Sequence, residues 1–129
     1  MTSDPWHFPL QDHLGMTVTS PEPGAGRATV EVTPSLHNPN GVVHGAVLFA
    51  MVDTAMGAAT MSVLDEGTPC ASIEVHLRFL RPAASGQLTA DVAVLKAGRR
   101  IVQLDGRVHD GTGELIATAT GSFAVISAP

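Results

Sequence analysis

The chain is short of three things, and each shortage excludes a class of protein. Its 129 residues include one cysteine, Cys70. No disulfide can close within the chain, so a reducing, cytoplasmic setting is the simplest expectation. Basic side chains are also few: seven Lys and Arg stand against twelve Asp and Glu, for a net charge of -5. A chain of that sign is not built to wrap a nucleic acid, so no nucleic-acid partner is expected. Signal-peptide character is scarce at the start of the sequence too. Met1 to Leu10 carries Asp4 and Pro5 and has neither the basic nor the apolar stretch of a signal peptide, so none is expected there.

One long apolar run is present. Gly45 to Leu64 contains a single charge, Asp53, at its middle. A carboxylate at the centre of a membrane span costs about 2.5–3.5 kcal/mol. The run is also rich in weakly hydrophobic Ala, Gly, Thr and Ser, and no Lys or Arg flanks it. A helix buried in a protein core fits better than a membrane span. With 44% hydrophobic residues and no repeat or low-complexity tract, residues 1–129 read as a single globular domain.

The rest of the pattern is extended chain. Trp6 to Leu14 suits a short helix or an irregular arm. Met16–Thr19 and Ala28–Thr33 read as strands, with Pro21, Pro23, Gly24 and Gly26 supplying the turn between them. The apolar helix is expected to run from Gly45 to the Asp65–Pro69 break. Four alternating runs follow. Ile73, Val75, Leu77 and Phe79 define the first and Leu88, Ala90, Val92 and Val94 the second. Val102, Leu104 and Val108 mark the third, and Leu115, Ala117, Ala119, Phe123 and Val125 the last. Two strands, one helix apolar on all sides and four strands joined by short turns predict an α+β protein. In it, an antiparallel sheet of five to six strands wraps around one long central helix.

Two features carry chemistry. Asp53 is the only charged residue between Glu31 and Asp65. Burial would raise its pKa, as a catalytic base often needs, although a structural Asp paired with an Arg or capping a loop explains it as well. The second feature is the loop His37-Asn38-Pro39-Asn40-Gly41-Val42-Val43-His44-Gly45 leading into the helix. At a helix start the Gly45 N–H has no intrahelical partner and points along the positive end of the dipole, an arrangement suited to an oxyanion. Taken alone, His44-Gly45 is better explained by ordinary capping and tight packing. Asp53 follows Gly45 by eight residues, about 12 Å along a helix. One helix cannot easily bring both groups to one carbonyl, so joint action calls for two chains. His37 and His44 have no Cys or carboxylate completing a ligand set, so no metal site is expected, and nothing calls for a cofactor. There is no Gly-x-Ser-x-Gly elbow for a serine hydrolase.

Asn38, Gly41, His44, Gly45 and Asp53 together resemble the signature of hotdog-fold thioesterases of the PaaI-like (phenylacetic acid degradation) type. The resemblance continues through Arg78-Phe79-Leu80-Arg81-Pro82, Gly86, Lys96-Ala97-Gly98-Arg99-Arg100, the closing Gly113-Glu114-Leu115-Ile116-Ala117, and then Gly121 and Phe123. It departs at Ala46, where the family usually has a second Gly. What the resemblance implies is hydrolysis of an aryl- or short- to medium-chain acyl-CoA. Asp53 would be general base or nucleophile, Gly45 N–H the oxyanion donor, His44 a loop-orienting or carbonyl-polarising group, and Asn38 a positioning group. Ser72 would assist, although simple alternation puts it on the polar side with Glu74 and His76. Arg78, Arg81, Lys96, Arg99 and Arg100 are five of the seven basic residues, and would hold the phosphates of coenzyme A. The implied assembly is a homodimer with a shared active site, paired into a homotetramer. A non-catalytic acyl-CoA sensor and a hotdog hydratase or dehydratase are the competing readings. Asp53 weighs against the first. The shortage of histidine near the site weighs against the second.

Overall fold

The computed structural model describes residues 7–127. The expectation about a leader, and Trp6, lie outside or at the edge of that range. The elements are α1 (Pro9–Leu14), β1 (Thr17–Thr19), β2 (Ala25–Val32), a single 3-10 turn (Pro34–Leu36), α2 (Gly45–Met61), β3 (Cys70–Phe79), β4 (Gly86–Ala97), β5 (Ile101–His109) and β6 (Leu115–Val125). All strand pairs are antiparallel, in the order β1-β2-β4-β5-β6-β3. Helix α2 lies across the inner face and touches all six strands.

The alternation read from the sequence matches the inner face. Leu88, Ala90 and Val92 of β4, Val102, Leu104 and Val108 of β5, and Ala117, Ala119 and Phe123 of β6 are all buried. They pack on Val47, Leu48, Met51, Val52, Ala55, Met56 and Ala59 of α2. The curled sheet covers one side of this apolar helix and leaves a stripe through Ala46, Phe49, Asp53, Gly57 and Met61 partly open. Two glycines make that close fit possible. At Gly26 a Cβ would overlap the carbonyl oxygen of Ala55, and at Gly121 the thioether of Met56 occupies the space a Cβ would need. Gly26, expected in a turn, therefore sits inside β2, which begins at Ala25.

Helix α2 also stops earlier than the sequence suggested. It ends at Met61, where the Ser62 hydroxyl donates to the Ala59 carbonyl (2.6 Å) and accepts from the Gly24 N–H (2.9 Å). Ser62 thus offers the backbone an alternative to another helical turn and ties the helix end to the β1–β2 connection. At 17 residues α2 is the longest helix, and no helix among the described residues is long and apolar enough to cross a membrane.

Strand β3 is the odd one. It forms one edge of the sheet, ten residues long, and its free side has no partner among the described residues. Ile73, Phe79 and Leu80 on and beside it are exposed, as is Phe49 on α2. A long edge with exposed apolar side chains is a template for pairing with another strand.

Candidate active site

The loop before α2 is held by its own polar groups. The Asn38 Oδ1 accepts from the N–H groups of Asn40 (2.8 Å) and Val42 (3.4 Å), while Gly41 turns the chain at φ 78. Further on, Val43 N–H donates to the Ala83 carbonyl and His44 N–H to the Leu36 carbonyl, each at 2.8 Å. These bonds fix where the helix begins. His44 is the N-cap, and its Nδ1 accepts from the Ala46 N–H at 2.9 Å. An accepting Nδ1 leaves the ring proton on Nε2, where it is a donor directed away from the helix backbone. The Gly45 N–H is left without a partner among the described residues. The oxygen of Asn38 is committed to its loop, so the amide nitrogen is the part of that side chain free to meet a ligand.

Gly45 and Asn38 line a cavity of about 410 Å³ with Val43, Leu48, Phe79 and Arg81. The Phe79 ring lies over Gly45: a Cβ there would meet the ring at 3.0 Å.

Asp53, two turns along α2, opens into a different cavity of about 400 Å³, shared with Phe8, Val18, Met61, Ser72 and Phe123. Its Oδ1 is shut off from solvent and has no hydrogen-bond partner. Burial pushes the Asp53 carboxyl above the usual carboxylate range, and the nearby Ser72 hydroxyl partly opposes that shift. Ser72 faces inward because β3 carries a bulge. The register with β6 runs Ser72↔Phe123 and then Glu74↔Ser122, which leaves Ile73 as the extra residue, 55% exposed. This corrects the simple alternation that put Ser72 beside Glu74 and His76 on the outer face. No periodic signal in the sequence reveals the bulge.

Cys70, at the start of β3, also lines the Asp53 cavity. Burial and the neighbouring Asp53 charge push its thiol up in pKa, which keeps it protonated and unreactive. The methionines divide. Met51 and Met56 are fully buried in the core, and Met61 lies in the Asp53 cavity.

The five basic residues do not gather at one place. Arg78 projects from the outer face of the sheet, beside His76, Asp105 and Arg107 and away from both cavities. Arg81 borders the Gly45 cavity and pairs with Glu114 at 2.9 Å. Lys96, Arg99 and Arg100 sit together at the β4–β5 hairpin end. The register Ile101↔Ala124 and Ala71↔Ala124 puts that end of the sheet level with the start of β3, near Ser72. No group of three or more His, Cys, Asp or Glu that could hold a metal is found among the described residues.

A six-stranded antiparallel sheet wrapped on one long helix, with a half-buried acid on that helix, is the hotdog arrangement of thioesterases. Residues 40–117 match the model of the thioesterase superfamily. A protein of Saccharolobus solfataricus named as an esterase is 30% identical over 112 residues, which are 87% of this chain and 74% of that one. The proofreading thioesterase EntH of Klebsiella pneumoniae is 28% identical over 114 residues, covering 88% of this chain and 83% of that protein. The solved structure of the E. coli PaaI protein, from the phenylacetic acid degradation operon, superposes with a TM-score of 0.84 at 27% identity, over 92% of this chain and 84% of that one. The chain belongs to the thioesterase superfamily, as a hotdog protein of the PaaI-like type.

Proposed function

We propose that the protein hydrolyses acyl-coenzyme A thioesters in the cytoplasm, at sites that each draw on two chains. The observation that carries this reading is the separation of the two half-sites. Gly45 and Asn38 open into one cavity, Asp53 and Ser72 into another, and no residue lines both. The first cavity includes Phe79 and Leu80 at the C-terminal end of β3, and the second includes Cys70, Ala71 and Ser72 at its N-terminal end. Pairing edge β3 antiparallel with its own copy reverses one strand against the other. The Ser72 end of one chain then meets the Phe79 end of its partner, and each Asp53 cavity abuts a partner Gly45 cavity. Exposed Ile73, Phe79 and Leu80 supply apolar surface for that contact.

In such a site the thioester carbonyl oxygen accepts from the Gly45 N–H at the start of α2 of one chain, where charge developing on it is stabilised. The Asn38 amide, which lines the Gly45 cavity, orients the thioester, and His44, which lines neither cavity in the single chain, acts by capping the helix start or through its Nε2–H. Asp53 of the other chain, ionised, removes a proton from water as it adds to the carbonyl carbon, or adds to that carbon itself and, once the thiolate has left, is held as an acyl anhydride that water hydrolyses to the free acid and the Asp53 carboxylate. The tetrahedral intermediate collapses with cleavage of the C–S bond, and the thiolate of coenzyme A leaves and is protonated. Ser72 holds the Asp53 carboxylate in place. Turnover in heavy-oxygen water separates the two routes, because only attack by Asp53 itself can carry label into its side chain. Arg81, Lys96, Arg99 and Arg100 hold the phosphates of coenzyme A in this reading.

A homodimer is the smallest unit such a site needs, and a pair of dimers is the larger assembly expected; light scattering distinguishes them. The test of function is thiol release from an acyl-CoA panel, acetyl to palmitoyl with phenylacetyl and benzoyl, beside an Asp53→Ala control. Release by the wild type that falls at least ~100-fold in the variant supports hydrolysis. Binding without release would make the protein an acyl-CoA sensor.

A further inference from the structure

Gly57 lies one turn beyond Asp53 on the same face of α2 and lines the Asp53 cavity. A glycine inside a helix costs about 1 kcal/mol relative to alanine, so its presence calls for a reason. The fold supplies one at Gly26 and Gly121, where a Cβ would collide with backbone or with a buried thioether. At Gly57 it supplies none. The residue has no positive φ, and a Cβ would meet only the Phe123 ring, at 3.8 Å, an ordinary contact. What a side chain there would fill is the cavity itself.

Resting on the thioesterase reading, we infer that Gly57 sets the depth of the acyl pocket and admits acyl groups of medium chain length, about six to ten carbons. Asp53 marks the position of the carbonyl. Gly57 lies about 6 Å further along the helix axis and Met61 about 12 Å. An extended hydrocarbon advances roughly 1.25 Å per carbon at tetrahedral geometry, so, counting the carbonyl as the first, a chain passes Gly57 at about its sixth carbon and reaches Met61 at about its tenth or eleventh. The walls along that path are apolar: Val18, Ala58, Met61, Cys70 and Phe123, with Phe8 of the N-terminal arm at the side. Beyond Asp53, Thr54 and Ser72 the lining offers no charged group, which suits a hydrocarbon tail and not the polar pantetheine arm.

The test is kcat/KM along a ladder of acyl-CoAs from acetyl to dodecanoyl, for wild type, Gly57→Ala and Gly57→Val. Alanine is a better helix former and has room, so the Ala variant folds at least as well as the parent. Butyryl-CoA should be turned over within about twofold of wild type by all three proteins. Octanoyl-CoA should lose at least ~10-fold in Gly57→Val and less in Gly57→Ala, in line with the cost of one to three methylenes that no longer fit. A second arm titrates non-hydrolysable thioether analogues of the same ladder by calorimetry and reads the same length dependence as affinity. If no thioester is cleaved, the proposed reaction fails, and the calorimetric ladder still decides the role of Gly57. Equal losses at every chain length, no change at any length, or dissociation of the Gly57→Ala protein in sedimentation would overturn the inference.

Discussion

Replacing Asp53 with asparagine should make the protein more stable and nearly inactive. The carboxylate is half-buried, one of its oxygens sees neither solvent nor donor, and burial raises its pKa. A raised carboxyl pKa means the native state holds its proton to higher pH than the unfolded chain does. Between the ordinary carboxylate pKa and the raised one, stability therefore falls as pH rises, and above the raised one the whole cost is present. An amide would leave a polar atom unpaired in the same place, so what is removed is the desolvation of the charge; with roughly half of the group still solvated, about 1 kcal/mol is the reasonable share. Asparagine keeps the shape and removes the charge. In a chain of this size that gain corresponds to a Tm rise of about 3–5 °C. Melting curves of both proteins at one fixed concentration, from pH 4.5 to 8, read the effect. The gap should be widest at neutral pH and close toward acid, as the wild-type carboxyl takes up its proton. Over the same range kcat should be lower by about 10²–10⁴. A variant destabilised at pH 7, or a gap that does not narrow at low pH, would refute the claim that Asp53 is held against its own stability.

Gly45→Pro removes the one N–H assigned to the oxyanion while keeping a helix start. Proline is favoured at the first helical position, and His44 already has the extended backbone (φ -68, ψ 137) that a following proline requires. A carbon there meets only the tip of the Phe79 ring, at 3.0 Å, a contact relieved by a shift of a few tenths of an ångström, so fold and dimer should survive by circular dichroism and sedimentation while kcat drops about 10²–10³. Ser72→Ala removes the group that lowers the Asp53 pKa, so the acid limb of the kcat/KM profile should move to higher pH, whereas a purely structural serine would leave it in place. At His44, alanine should lower Tm and asparagine should restore it, since asparagine is a good N-cap; both should lose activity if the Nε2–H meets the substrate.

Much of this was legible in the chain, for definite reasons. A lone acid in a twenty-residue apolar run stands out because burial of charge is costly, and a glycine opening a helix stands out because its N–H is free. The strand and helix order followed from periodicity, and the separation of Gly45 from Asp53 followed from helix rise alone. What stayed hidden depends on contacts distant in sequence. The bulge at Ile73 turns Ser72 inward, yet Ser72-Ile73-Glu74-Val75 alternates as a regular strand would. Gly26 reads as a turn residue until α2 is seen pressing on β2. The five basic residues look like one cluster in sequence, but a strand's two faces and a sheet's two ends divide them. Gly57 stands out in the sequence only as a glycine inside a helix; that alanine would fit beside Phe123 shows in the packing alone.

The shared site is tested most directly by mixing two dead proteins. Asp53→Asn supplies an intact Gly45, and Gly45→Pro supplies an intact Asp53. After subunit exchange, half of the dimers are mixed, and each mixed dimer has one site built from the two unaltered halves and one built from the two altered halves. Sites that span two chains therefore recover about a quarter of wild-type thiol release per protomer. If Asp53 and Gly45 served one carbonyl from within a single chain, every site in the mixture would lack one of them. The mixture would then stay as inactive as its parents.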